Sequence, residues 1–341
     1  APVQVQLARP WSRRFGRVGA LALATAAMAT AAGLLSCVRS LTALTVACFL
    51  GALSVQPNIS VQAPIEHATL ASTANSSVER SSVFAWYNGV SASAIAAGFL
   101  ATGIPLVGPH DQILAVALLL FVASAAYTSF AYCGRAKQVP ASVSDPLLAK
   151  EDRSLRECPH RRRILGMAGL FAVDAFAGSL ALNSFIIHWL SSRYAVPEHI
   201  LGSLFAACGV ITTPSLWVAA WLGKHIGLIN TMVFTHLPSN VCLVLMPFMP
   251  GVGFIYALIL VRAALGQMDV PARESFMMSV VGEEERITCS SVITTSRALG
   301  SVAGPPVCAL LWGLWGPGAP LMLSGTLKCI YDLSLLATFR A

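Results

Sequence analysis

The sequence predicts an all-α polytopic membrane protein of about ten transmembrane helices, and three observations carry that prediction. Charged residues make up 11% of the 341 positions and hydrophobic residues 56%, whereas a soluble globular chain carries roughly a quarter charged residues. Nineteen prolines and 26 glycines are scattered through the apolar runs, a habit of transmembrane helices that long soluble helices avoid. Runs such as "DQILAVALLLFVASAAYTSFAYC" (111–133) have no charged face, which a helix of a soluble bundle would turn towards water.

A bilayer-crossing helix needs about 20 mostly apolar residues. Windows of that kind occur at 18–37, 40–57, 84–106, 112–133, 164–190, 199–221, 228–247, 250–267, 289–313 and 317–338. The first and third are rich in small residues ("ALATAAMATAAGLL", "SASAIAAGFLATG"), which lets helices approach closely. The second is the weakest, because "SVQPNIS" follows it without a sharp stop. Trp86 and Tyr87 open the third as interfacial anchors. The window at 164–190 is long and holds Asp174 and Asn183, so it is tilted or lines a cavity. The stretch 271–290, "PARESFMMSVVGEEERITCS", separates the last windows and reads as a charged cytoplasmic hinge loop. Its "SFMMSVV" is expected against the membrane face or the bundle. Glu283 to Glu285 form an acidic cap for the following helix.

The net charge of +7 would suggest a nucleic-acid partner in a soluble chain. Its distribution argues for topology instead. With the first connection, the central loop and the C-terminus in the cytoplasm, seventeen lysines and arginines fall on that side, against Arg39 and Arg193 opposite. That is a positive-inside bias with both termini cytoplasmic. The nine cysteines form no CxxC and no metal spacing with histidine, so neither a disulfide scaffold nor a metal site is expected. No glycine loop with Lys-Ser/Thr and no hydrolase triad occurs, which removes local support for ATP-driven transport or an enzyme and leaves no cofactor expected.

The polar segment 134–163 splits the windows four and six. The two halves repeat each other: at an offset of 206 residues Glu79-Arg80 falls on Glu285-Arg286 and Gly98 on Gly304, and "RRFGRVG" (13–19) matches "KHIGLIN" (224–230). Counted from these points the first half lacks two helices, so the expected arrangement is an incomplete 6+6. Residues 1–133 then form an N-terminal bundle of about four helices, 134–163 a basic cytoplasmic linker and 164–341 a six-helix bundle.

These motifs resemble the major facilitator superfamily. "RRFGR" is similar to its D-R-x-G-R-R loop, although Arg13 stands where an acid is expected and Val18 where a cation is. The Glu-Arg pairs resemble the loops before its helices five and eleven, and "RALGSVAGPPV" (297–307) its eleventh helix. "VRAALGQMDVPARESFMMSVV" (261–281) looks like related permeases of unassigned substrate. The resemblance covers family helices three to twelve. It implies a secondary active transporter of a small solute or ion, with H+ coupling as an option, in which two helical bundles rock about a central cavity in the lipid bilayer. It also implies that Arg13, Arg14, Gly16, Arg17, Glu79, Arg80, Gly227, Glu285, Arg286 and Arg297 belong to conformational-switch loops.

Polar groups in apolar helices are the candidates for the cavity, because a charge in hydrocarbon must face protein or water. Asp174 is a substrate or coupling group, a helix-packing or cap residue, or a residue nearer the interface. Asn183 is expected on the same helix side, nine residues on. Arg262, with Gln267 one turn further, contacts an anion or pairs with a buried carboxylate. Asn230, His236 and Asn240 belong to a polar stripe around Pro238, a break that is a binding feature or an ordinary kink. A non-transporting membrane scaffold is the second functional reading. A membrane-embedded enzyme is the third, and it would need His or Asp clustered at one membrane face.

Overall fold

A computed structural model describes residues 62–72, 74, 76–103 and 155–339, together with isolated positions nearer the N-terminus. Among these residues all regular structure is helical. In chain order the helices are α1 Gln62–Ser72, α2 Ser77–Gly103, α3 Arg161–Leu180, α4 Asn183–Tyr194, α5 Glu198–Ile226, α6 Leu228–Leu245, α7 Val252–Leu265, α8 Asp269–Ser279, α9 Arg286–Trp315 and α10 Ala319–Phe339. Short 3-10 turns at Met246–Phe248 and Glu283–Glu285 extend α6 and lead into α9. Seven of the expected spans fall on these helices, while 18–37, 40–57 and 112–133 lie outside the described residues apart from isolated positions. Among the described residues five segments are long and apolar enough to cross a membrane: Arg161–Tyr194, His199–Ile226, Leu228–Phe248, Val252–Ser279 and Glu283–Trp315.

Two expectations need correction. The window 164–190 is broken at Ala181 and Leu182, where Leu182 is extended (φ −60°, ψ 149°) and α4 restarts at Asn183. Asp174 and Asn183 therefore sit on separate helices and share no helical face. The stretch expected to be a hinge loop instead begins as helix α8, and every residue from Asp269 to Met278 is buried. Pro271 is accommodated because the first turn of a helix needs no N–H donor there. Arg273, counted above with the cytoplasmic cations, is buried in that helix, which leaves sixteen basic residues against two.

The chain divides into two compact units. One comprises 1–69, 105–165 and 281–298. In it the Glu285 carboxylate accepts the Gly282 N–H at 3.2 Å and lies 2.7 Å from His160 Nδ1, so the start of α9 is tied to the residues that precede α3. Arg286 pairs with Glu283 at 3.4 Å.

The other unit comprises 70–104, 166–280 and 299–341. Here α2 runs along α5, with Trp86 against Trp217 at 5.0 Å between ring centroids and the Ser93 and Thr213 hydroxyls 3.3 Å apart. Helix α8 docks on α2 through the Asn88 amide, which donates to Glu274 at 2.7 Å, and through Ser275, whose hydroxyl donates to the Ser77 carbonyl at 2.6 Å. The apolar core joins Trp189 and Leu190 of α4, Leu201 and Phe205 of α5, Leu243 of α6, Ile255 and Ile259 of α7 and Leu321 of α10. Outward positions are equally apolar: Phe254 is 62% exposed, Leu310 59%, Trp315 76% and Leu333 55%. Apolar groups in that number on the outside mark a surface made for lipid.

Gly227 alone separates α5 from α6, at φ 85° and ψ 160°. An L side chain is strained there, which accounts for the glycine at this position. Gly227→Ala is expected to cost about 1–3 kcal/mol, read as a lower denaturation midpoint in detergent. An unchanged midpoint would mean the turn is not held in this conformation.

Candidate functional site

The first turns of α6 satisfy their own polar groups: the Thr231 hydroxyl donates to the Gly227 carbonyl at 2.8 Å and Thr235 to Thr231 at 2.7 Å. Asn230 behaves likewise, its amide donating to the Ile226 carbonyl at 2.8 Å. One turn further the polar groups reach other helices. His236 Nδ1 lies 2.9 Å from Asp332 Oδ1 on α10, and the Asn240 amide donates to Asp332 Oδ2 at 2.9 Å.

Helix α10 carries a second polar residue one turn earlier, Lys328. Its ammonium donates to Asp174 Oδ1 of α3 at 2.7 Å. The other oxygen of Asp174 is 3.7 Å from the Arg273 guanidinium of α8, which also holds Asp269 at 2.7 Å. Asp174, Asp269 and Asp332 are 3%, 2% and 1% exposed, so this network of three carboxylates, two cations and a histidine ties α3, α6, α8 and α10 together inside the bundle. The Tyr331 ring stands within it, 6.2 Å from Phe171 and 6.3 Å from His236 between centroids.

Beside the network lies a cavity of about 150 Å³. Its walls come from Asn183 of α4, Cys208 and Thr212 of α5, His236, Ser239 and Asn240 of α6, Arg262 of α7, Gln267, and Lys328 of α10, with Ile186, Phe205 and Ile259 as apolar wall. The structure thus brings together Asn183, His236, Asn240, Arg262 and Gln267 from the sequence-predicted set. Asp174 is not a wall residue, but it touches the cavity through Lys328. Asn230 is elsewhere.

Of the expected switch residues, Arg13, Gly16 and Arg17 lie outside the described residues, and Arg14 is an exposed helical position. Glu79 and Arg80 sit in the first turn of α2, whose Glu79 N–H donates to the Ser76 hydroxyl at 3.1 Å. Arg297 lies within α9. Sequence reasoning missed Lys328, Asp332 and Asp269 as site groups. The available signal was the acid four residues after the lysine in an otherwise apolar run, a pair that shares a helix face.

The model of the Major Facilitator Superfamily matches residues 5–305. The chain belongs to this superfamily. Its fold agrees: the human organic anion transporter MFSD10 (TETRAN) superposes with a TM-score of 0.74 at 18% identity, covering 98% of this chain and 80% of that one. A bacterial homologue of the iron transporter ferroportin, in an outward-facing state, gives 0.68 at 14% identity, covering 98% and 87%. No curated protein matches by sequence. The major facilitator protein described here is therefore an integral, multi-pass membrane protein of a family of small-solute transporters.

Proposed function

We propose that this major facilitator protein carries out secondary active transport of a small solute by alternating access, and that the cavity between α4, α5, α6, α7 and α10 is where the solute is contacted. The observation that carries this reading is the convergence of five polar residues, Asn183 of α4, His236 and Asn240 of α6, Arg262 of α7 and Gln267 just after α7, on one cavity. His236 and Asn240 are buried and Arg262 half-buried, and polar groups inside a membrane bundle are expensive and are kept where water, ions or solutes pass. The division into a bundle of 1–133, a linker of 134–163 and a bundle of 164–341, with both termini cytoplasmic, belongs to the same proposal. It is supported by the charge asymmetry of the connections.

Protein reconstituted into liposomes and offered a broad solute panel under imposed gradients is expected to give saturable flux. Folded protein that carries no solute would overturn the reading in favour of a non-transporting scaffold.

The same proposal assigns H+ coupling to Asp332. Its partners His236 and Asn240 carry no fixed positive charge, whereas Asp174 is clamped by Lys328 and Arg273. The other carboxylates in its electrostatic neighbourhood are Asp174 and Asp269. A proton reaching the His236–Asp332 pair therefore changes the charge directly behind the cavity wall. Asp332→Asn is expected to flatten the pH dependence of flux while solute exchange persists. An unchanged pH profile would rule Asp332 out.

A further inference from the structure

We propose that the cavity is an anion site, and that its ligand is a small organic molecule whose carboxylate is held by Arg262. This rests on the transport reading only in so far as it names that ligand as the transported solute. Among the described residues the walls contain Arg262, Lys328 and His236 but no aspartate or glutamate. Lys328 is matched by Asp174 behind the wall, and the network's other cation, Arg273, by Asp269. Arg262 differs from both. Among the described residues it has no carboxylate partner, and the groups that could bear a negative charge near it are the thiols of Cys208 and Cys242.

A guanidinium without a counter-charge inside a membrane bundle is costly, and an anion arriving from outside supplies what the protein does not. Its five donors form a fork that matches a carboxylate through two parallel hydrogen bonds. The rest of the wall suits the body of such a molecule. Ile186, Phe205 and Ile259 offer an apolar side, and the amides of Asn183 and Gln267 offer neutral hydrogen bonding. The Thr212 hydroxyl is already committed, donating to the Cys208 carbonyl at 2.8 Å and the Ala263 carbonyl at 3.1 Å. A cavity of about 150 Å³ is of the size that accepts a single aromatic ring in other proteins. Benzoate, neutral benzamide and cationic benzylammonium therefore probe charge at nearly constant shape.

Cys208 lines the same cavity and reports on it without any need for transport. Purified full chain is labelled with an anionic or a cationic methanethiosulfonate, the two rates are normalised to a free thiol in solution, and the Cys208 peptide is quantified by mass spectrometry. The anionic reagent is expected to label Cys208 about tenfold faster, the low end of what charge-lined clefts do to local ion concentration. Benzoate should protect, and benzamide and benzylammonium should not. Arg262→Gln should abolish the preference and Arg262→Lys retain part of it.

Equal labelling by the two reagents, protection by benzylammonium or benzamide as strong as by benzoate, or a preference that survives Arg262→Gln would overturn the anion site. The wild-type comparison and Arg262→Lys decide the matter even where Arg262→Gln does not fold. Charge-selective labelling in a protein that carries no solute would leave the anion site standing and remove the transport reading. Flux of a neutral or cationic solute that is indifferent to Arg262→Gln would do the reverse.

Discussion

Asp174→Asn is expected to cost about 3–5 kcal/mol of stability, and combining it with Lys328→Met is expected to return most of that loss. The asymmetry follows from who is left behind. Among the described residues Lys328 has one carboxylate within reach, Asp174 at 2.7 Å, and its side chain is 12% exposed. Removing the carboxylate strands an ammonium inside the bundle, whereas Arg273 keeps Asp269 at 2.7 Å and loses only a 3.7 Å contact. The double substitution removes the stranded charge as well, and a neutral pair in a buried site is often no less stable than the ion pair it replaces. The measurement is the denaturation midpoint of the purified protein in detergent for the wild type, both single variants and the double variant. A double variant no better than Asp174→Asn would show that Lys328 and Asp174 are not energetically paired. A loss for Asp174→Asn below about 1 kcal/mol, the scale of exposed pairs, would show that the cavity hydrates Lys328 fully. Because the substitution acts on folding, a drop in flux for Asp174→Asn says nothing about coupling unless stability is measured beside it.

The seven spans that fall on described residues were legible because their signal is length and hydropathy, and both survive any tertiary arrangement. The break between α3 and α4 was not. Gly178-Ser179 stands just before Ala181-Leu182, the kind of pair at which helices kink, but small residues recur throughout the apolar runs and do not mark one break among them. Helix α8 was misread because Asp269, Arg273 and Glu274 look like solvent-facing residues. Their charges are satisfied internally, Arg273 on Asp269 one turn away and Glu274 by the amide of Asn88, 186 residues distant. A sequence shows the i,i+4 partner and hides the second. The same division runs through the site. Arg262, His236, Asn240, Gln267 and Asn183 stood out as polar residues in apolar runs, and the cavity collects them. Asn230 stood out equally, yet near the start of α6 a bond to its own turn is available. Which polar groups turn inwards depends on helix rotation, and that is set by neighbours.

Gly304→Val and Gly300→Val are each expected to destabilise the protein by about 3 kcal/mol or more, at or beyond the upper end of ordinary overpacking. The obstruction is backbone at Gly300 and both side chain and backbone at Gly304. A β-carbon on Gly300 would meet the carbonyl oxygen of Ala172, and one on Gly304 would meet the side chain and backbone of Ser179. These four-residue-spaced glycines bring α9 against α3 over one turn, as small-xxx-small pairs do in membranes. The contact lies immediately before Pro305 and Pro306, and prolines inside a helix weaken its hydrogen bonding and let it bend. Close approach and local softness thus coincide on α9. Backbone atoms of α3 cannot retreat as a flexible side chain can, so Gly300 should tolerate not even alanine. Gly304 is different in one respect: part of its obstruction is the Ser179 hydroxymethyl, which donates to the Phe176 carbonyl at 2.7 Å. Ser179→Gly should therefore recover part of the loss caused by Gly304→Ala and none of that caused by Gly300→Ala. Gly313→Ala meets nothing within 4 Å and should be neutral or gain up to about 1 kcal/mol from helix propensity. Denaturation midpoints of these variants in detergent test the whole pattern. Alanine tolerated at Gly300, or rescue by Ser179→Gly that does not discriminate between the two positions, would mean that α3 and α9 are not in backbone contact there.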